Sequence, residues 1–291
     1  MPVIDGLVVV DKAAGWTSHD IVAKCRGIFG QKRVGHAGTL DPGATGVLLV
    51  GLGRVTRLLR YPGALPKTYV GEVVLGAETS TLDDEGEVTA TYDMSGVRVE
   101  DVVTASERFV GDIAQIPPMV SAVKVGGRRL HELARAGEEV ERRPRPVSVY
   151  QLDVRPGPEA GVFTIEVTCS AGTYVRVLAA DIGRALGGGA HLRRLRRTAV
   201  GPFSVSEAKP VEALGVDDVL DPIEAMRGYP IATVGPPVVD DVRHGKVLDA
   251  ASLVVDGDGP WAVVDGEGSL LAVYEPYDEG RVKPAVVIAS A

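Results

Sequence analysis

Residues 67–75 alternate and are rich in β-branched side chains, residues 144–154 and 162–168 read as paired long stretches of the same kind of pattern, and 192–200 lead into another. Such stretches read as strands that need a sheet with a buried face. The helical patterns near them, at residues 99–109 and 174–186, do not recur after every strand, so an α+β fold fits better than a doubly wound parallel sheet. Thr17 and Ser18 offer caps for a further helix ending near Gly27, and Gly187 to Gly189 stop the helix over 174–186. Residues 6–10 and 47–50 read as short strands and 54–61 as a short helix. The Gly-rich stretch 30–46 reads as one long loop. Residues 120–125 read as a strand that turns at Gly126-Gly127 into a helix over 130–136.

Past a linker at 220–230, short strands at 261–264, 270–274 and 285–288 alternate with Gly/Asp turns and suggest a small β-barrel-like domain. The length of 291 residues suits two domains at roughly 150 residues each. An apolar share of 45% with 24% charged residues supports a buried core and excludes a disordered or collagen-like chain. No apolar run reaches the roughly 18 residues of a membrane helix, and residues 1–12 lack the pattern of a signal peptide. Cys25 and Cys169 are far apart and form no CxxC. That argues against a disulfide framework or zinc site and for a reducing, cytoplasmic location.

A net charge of −8 would by itself argue against a nucleic-acid partner. The charge is segregated, however. Residues 211–291 hold 5 basic and 15 acidic side chains, whereas residues 1–210 hold 26 basic and 24 acidic ones. Within the latter, residues 72–112 carry 11 acidic and 2 basic side chains. Arg184, Arg193, Arg194, Arg196 and Arg197 have no acid between them, and a second cluster holds Lys124, Arg128, Arg129, Arg135, Arg142, Arg143 and Arg145. Such clusters suit a phosphate-tracking surface on an acidic protein, or else simply solvated faces.

The segment Gly35-His36-Ala37-Gly38-Thr39-Leu40-Asp41-Pro42-Gly43-Ala44-Thr45-Gly46 carries the clearest chemistry. Its glycines let the backbone approach a ligand or itself. It lacks the Gly-Lys-Ser/Thr ending of a nucleotide phosphate loop. Asp41 precedes a proline, which biases it to an extended or turn conformation. A carboxylate there can act as nucleophile or base, or close an Asx-turn on its own loop. Arg176, opening the helix over 174–186, is able to pair with a carboxylate bidentately and keep it ionised. Tyr69 lies inside a strand. With 14 aromatic residues in all (4 Phe, 2 Trp, 8 Tyr), the chain is no stacking platform of the single-strand-binding kind.

Together these segments resemble the bacterial TruB-type tRNA pseudouridine synthases, which act on uridine 55 of the T-arm. The match runs in order through Gly6 to Lys12, Gly15-Trp16-Thr17-Ser18-His19-Asp20, Val34 to Pro42, Ala44-Thr45-Gly46, Lys67-Thr68-Tyr69 and Thr79-Ser80-Thr81-Leu82-Asp83. It continues through Gln115-Ile116-Pro117-Pro118, Ser121-Ala122-Val123-Lys124 and Gly172-Thr173-Tyr174-Val175-Arg176, covering about residues 6–205. Ala13, where the family usually has proline, and Val120 and His131, where aromatics are frequent, depart from the pattern.

The resemblance implies a pseudouridine synthase fold with a mixed, largely antiparallel central sheet over residues 1–225. Residues 226–291 resemble the family's PUA-like C-terminal domain in length and strand pattern. The family resemblance as a whole carries an activity with it. It implies cleavage of the C1′–N1 bond, rotation of the uracil and rejoining through C5, an isomerisation that needs no cofactor or metal. Asp41 would be the catalytic carboxylate and Arg176 its partner. Tyr69 would stack on the extruded uracil, Tyr174 shape the pocket, and His36 fill the space the base leaves. Lys12 and Lys124 would contact RNA or support the pocket. An insertion over about 118–146, with Arg142, Arg143 and Arg145, would clamp the T-arm. The expected partner is tRNA, bound by a monomer with no obligate protein partner and no membrane contact. The competing readings are a guide-RNA-dependent pseudouridine synthase subunit, a non-catalytic tRNA-binding or folding protein on the same scaffold, and an unrelated phosphate-loop enzyme, disfavoured by the missing Lys-Ser/Thr.

Overall fold

The computed structural model describes residues 3–121, 123–138, 140–255 and 257–288. Its contacts divide the chain into two compact units, one of residues 1–42, 47–65 and 201–291, the other of residues 43–46 and 66–200.

The first unit begins with β1 (Gly6–Lys12), whose Leu7, Val8 and Val10 are all fully buried. Both faces of this strand are covered, which is why its sequence is a continuous apolar run rather than an alternation. Helix α1 (Ser18–Ile28) starts at a reciprocal cap. The Thr17 hydroxyl accepts from the Asp20 amide, and the Asp20 carboxylate accepts from the Thr17 amide. This pairing satisfies two of the helix's otherwise orphaned donors. The stretch 30–46, expected as one loop, is in part a strand. Residues Val34–Ala37 form β2, which pairs antiparallel with β3 (Thr45–Leu52) through Val34↔Leu52, His36↔Val50 and Ala37↔Leu49. The Asp41 segment is therefore the connection of a β-hairpin. Residues 54–61 are not one helix but a 3-10 turn, Gly53–Arg57, followed by α2 (Arg60–Ala64).

The second unit runs β4 (Lys67–Leu75), β5 (Ala77–Thr79), β6 (Val88–Thr91), α3 (Val99–Glu107), β7 (Gly111–Gln115), β8 (Lys124–Val125), β9 (Arg128–Arg129), α4 (Leu130–Arg135), β10 (Arg145–Pro156), β11 (Val162–Cys169), α5 (Val175–Ala185) and β12 (Ala190–Val200). Its sheet has the order β12-β4-β11-β10-β7 with every neighbour antiparallel. β12 also pairs in parallel with the first residues of β3, Arg196↔Thr45 and Arg197↔Gly46. The sheet is thus mixed and largely antiparallel. The short hairpins β5–β6 and β8–β9 stand apart from it. The second turns at Gly126 and Gly127, both at positive φ, as a two-residue hairpin turn requires. Leu178, Ala179 and Ile182 of α5 are fully buried, and the helix packs on β12.

The C-terminal part of the first unit adds β13 (Phe203–Ser204), β14 (Ile231–Thr233), α6 (Pro236–Arg243), β15 (Leu248–Asp249), β16 (Trp261–Val264), β17 (Leu270–Asp278) and β18 (Arg281–Val287). β14-β16-β17-β18-β15 form a five-stranded sheet over a core that includes Val242, Trp261, Leu271 and Tyr274. The stretch 220–230 is not a linker. Leu220 exchanges both backbone hydrogen bonds with Leu7, and a 3-10 turn, Pro222–Met226, buries Ala225 and Met226. Arginines tie the C-terminal sheet to the 53–61 segment: Arg54 and Arg57 donate to the Ile288 and Val287 carbonyls at 2.7 Å each, and Arg60 pairs with Glu275 at 2.8 Å. Among the described residues, no helix is long and apolar enough to cross a membrane.

Candidate active site

Asp41 lies half-buried in the connection between β2 and β3, and the residues on both sides of it are pinned. The Ser18 hydroxyl accepts from the Leu40 amide at 3.0 Å and donates to the Leu40 carbonyl at 3.3 Å. The Pro42 carbonyl accepts from the Gly15 amide at 2.9 Å. It also accepts from the Lys12 ammonium at 3.0 Å, and that ammonium donates to Ala13 O at 3.0 Å and Trp16 O at 2.7 Å. Lys12 is fully buried, and a charge taken out of water needs such partners. Its place is therefore under the loop, not on an RNA surface. A hairpin connection of this length is ordinarily mobile. Here, carbonyls held by one buried cation and one hydroxyl fix the backbone that carries the carboxylate. His36, on β2, is half-buried, and the ring of His19 meets it edge-on with centroids 5.3 Å apart and planes at 83°.

In the second unit Tyr69 is 9% exposed on β4. Its register partners are Val167 on β11 and Arg197 on β12. Lys67 lies two residues before it and so shares its face of the strand. Both Lys67 and Arg197 are buried. Burial pushes the Lys67 ammonium down to about 8, helped by the Arg197 charge and opposed by Cys169. The face that presents Tyr69 thus carries buried positive charge. Gly46 makes this packing possible: its φ is +102°, and a Cβ there would fall 2.1 Å from the Arg197 carbonyl oxygen.

Arg176 is the second residue of α5 and is 4% exposed. Its Nη1 donates to Thr81 O at 2.9 Å and lies 3.3 Å from the Asp83 carboxylate, and its Nη2 donates to Val120 O at 3.0 Å. Asp83 is itself held, its Oδ1 accepting from Thr81 Oγ1 at 2.5 Å and its carbonyl from Thr79 Oγ1 at 2.6 Å. The start of α5 is set by the buried Gln115 side chain, which accepts from the Tyr174 amide at 2.9 Å and donates to the Tyr174 carbonyl at 3.2 Å. Tyr174 is half-buried at that cap.

Lys12, His36 and Asp41 therefore lie in the first unit, and Tyr69, Tyr174 and Arg176 in the second. Arg142, Arg143 and Arg145 line a cavity of about 220 Å³ with Glu141 and the apolar Pro117, Val123 and Leu130. Arg142 donates to Pro117 O at 3.2 Å, while Arg143 and Arg145 are exposed. Lys124 belongs to β8, and its side chain lies outside the described residues. The other arginine cluster is laced with ion pairs, and within it Arg196 donates to Thr45 Oγ1 at 3.3 Å. Arg184 pairs with Glu78 and Asp181, Arg193 with Glu72 and Glu159, Arg194 with Glu72, and Arg197 is buried. Glu72 and Glu78 come from the acidic stretch 72–112, so the fold sets one charge block against the other.

Sequence reasoning assigned no site role to Asp83, Gln115, Lys67 or Arg197, and read Ser18 only as a candidate helix cap, a place that Thr17 takes. The available signal was, for Lys67 and Arg197, a charged residue inside a strand pattern and, for Ser18, a hydroxyl at a helix start; Asp83 and Gln115 carried none beyond their motifs. Among the described residues, no three His, Cys, Asp or Glu side chains converge as a metal site needs.

The sequence model described as "TruB family pseudouridylate synthase (N terminal domain)" matches residues 26–175. That of the "tRNA pseudouridylate synthase B C-terminal domain" matches residues 176–226. A protein named tRNA pseudouridine synthase B from Rhodococcus jostii (strain RHA1) is 44% identical, covering 97% of this chain and 93% of its own. One of the same name from Corynebacterium aurimucosum is 45% identical, covering 98% and 96%. Among solved structures, a chain of a Cbf5-Nop10-Gar1 complex is similar with a TM-score of 0.75 and 26% identity, covering 98% of this chain and 84% of its own.

Proposed function

The chain belongs to the TruB family of pseudouridylate synthases, and from that premise we propose that it modifies uridine 55 in the T-arm of tRNA, with Asp41 as the catalytic carboxylate. The activity itself is that of its relatives, isomerisation of uridine to pseudouridine in tRNA. The observation that carries the site assignment is the pinning of Leu40 and Pro42, which holds the Asp41 backbone at one position in a hairpin connection. Such preorganisation is what a reacting group needs, and RNA binding alone has no use for an acid held against a polyanion.

In this reading Arg176 serves to keep Asp41 ionised and oriented, and Tyr69 stacks on the uracil. The target nucleotide leaves its stack because its reacting atoms are inaccessible there, and His36 occupies the space it leaves. Tyr174 shapes the pocket wall, and Lys12 supports the Asp41 loop from below. Lys124 and the three arginines of the 118–146 insertion grip the T-arm. Residues 1–225 form the catalytic domain and 226–291 the PUA-like one. The protein works as a cytoplasmic monomer without an obligate protein partner.

The test is the purified chain on unmodified tRNA transcript and on a T-arm stem-loop, with no guide RNA, read by carbodiimide labelling and primer extension. One stop, at uridine 55, is the expected result. Modification only on addition of a guide RNA or a protein partner would assign the chain to a guide-dependent particle instead.

The insertion makes a separate prediction. Replacing Arg142, Arg143 and Arg145 by Gln should flatten the slope of log K against log salt by about 2–3, at roughly 0.7–0.9 per lost phosphate contact. Since Arg142 also holds the Pro117 carbonyl, the Arg143→Gln/Arg145→Gln variant serves as the cleaner control, with a slope change of about 1–2. Filter binding across a salt series measures it. An unchanged slope would mean that the stretch is only solvated.

A further inference from the structure

His19 lies on the first turn of α1, with its ring exposed and its neighbour Ser18 bonded to both backbone groups of Leu40. Lys12 joins the same segment to the other flank of Asp41, through Trp16 O and Pro42 O. The start of α1 and the β2–β3 connection are thus one rigid piece within the first unit. On that piece the His19 ring stands edge-on to His36, with centroids 5.3 Å apart and planes at 83°. This is the favoured geometry for two rings with positive edges and negative faces. Nothing in the folding of α1 requires it. The helix is capped by Thr17 and Asp20, and its core is made by Ile21, Val22 and Cys25. An exposed ring spent on a half-buried one beside the Asp41 loop has its effect on the orientation of that second ring.

We infer that His19 is a positioning residue for His36: it holds the His36 ring in the one orientation from which it enters the RNA stack as the target nucleotide leaves. The inference rests on the proposed role of His36. A ring free to rotate about its side-chain torsions would have to be ordered during the encounter with RNA. Ordering it beforehand moves that entropy cost out of the flipping step.

The experiment is a double-mutant cycle on the full chain with tRNA carrying 2-aminopurine beside the target uridine. The readouts are the unstacking rate by stopped-flow fluorescence, kcat and KM, and Tm. His19→Ala is expected to slow unstacking and lower kcat/KM about two- to ten-fold with Tm unchanged, because the side chain is exposed. His19→Phe, which keeps the ring, should recover to within about two-fold of the parent. In a His36→Ala background, His19→Ala should have no further effect, since its action runs through His36. Equal losses in both backgrounds would make His19 a direct RNA contact and overturn the inference. A loss that tracks a fall in Tm would make its role structural and overturn it as well. If His36→Ala leaves unstacking and turnover intact, the proposed role of His36 fails and takes this one with it. If His36→Ala is impaired and His19→Ala is not, only the present inference fails.

Discussion

Asp41→Asn should lower pseudouridine formation by on the order of 10⁴-fold or more, the scale on which removal of a reacting group is felt, while tRNA affinity and Tm stay close to those of the parent. The substitution changes one oxygen to an amide nitrogen and keeps the shape of the side chain. The backbone on either side is held by Ser18, Gly15 and Lys12, so the connection should keep its place. Asp41→Glu is the complementary probe, since it keeps the charge and advances it by one methylene. A misplacement of roughly 1 Å at a reacting centre costs about 10²-fold, so Glu should sit between parent and Asn. Tritium release under single-turnover conditions measures the chemical step, and filter binding measures affinity. Turnover by Asp41→Asn within 100-fold of the parent would remove Asp41 from the chemistry. A matching loss of binding would instead make its role one of holding RNA.

The large elements were legible because they are long and regular. β4 and β11 appear as β-branched runs, β10 and β12 as long strand patterns, and α5 as an apolar face closed by glycines. What escaped was short, or punctuated against its structure. β2 has four residues, one of them Gly35, and precedes a connection of several residues, so it carries neither the length of a strand nor a two-residue turn signal. Asp221-Pro222 and Gly228-Tyr229-Pro230 read as linker punctuation, yet Ala225 and Met226 between them are buried. In the site, Asp41, Tyr69 and Arg176 stood out by motif.

The role of Asp83 did not stand out, because it is one of 11 acids in the stretch 72–112 and only the fold selects which acid meets an arginine. Two departures from the family pattern have a simple account. Ala13 and Val120 each act through a backbone carbonyl, accepting from Lys12 and Arg176 respectively, and a carbonyl does not depend on the side chain beside it. His131 lies outside the described side chains.

Arg176 offers the second large effect, because stability and chemistry can be separated there. Its guanidinium reaches Thr81 O, Asp83 Oδ2 and Val120 O from a position 4% exposed, with the Asp83 side chain 16% exposed. A planar fork can serve acceptors in different directions at fixed angles, which a single ammonium cannot. Arg176→Ala leaves the largely buried Asp83 charge without this partner and should destabilise the chain by about 3–5 kcal/mol.

Arg176→Lys keeps the charge but abandons at least one carbonyl, and should cost about 1–3 kcal/mol. Its activity should nevertheless fall about 10²-fold or more, since the proposed role of Arg176 in orienting the Asp41 carboxylate depends on the fork. The thermodynamic cycle with Asp83→Asn decides whether the pair is the cause. If Arg176→Ala is costly because it strands Asp83, adding Asp83→Asn should relieve part of the loss, a coupling of about 1–3 kcal/mol. Urea unfolding of the four proteins measures it. Additive losses would mean that Arg176 stabilises the fold through the two carbonyls alone, and that Asp83 can be removed without disturbing the arginine on which the proposed catalytic pairing depends.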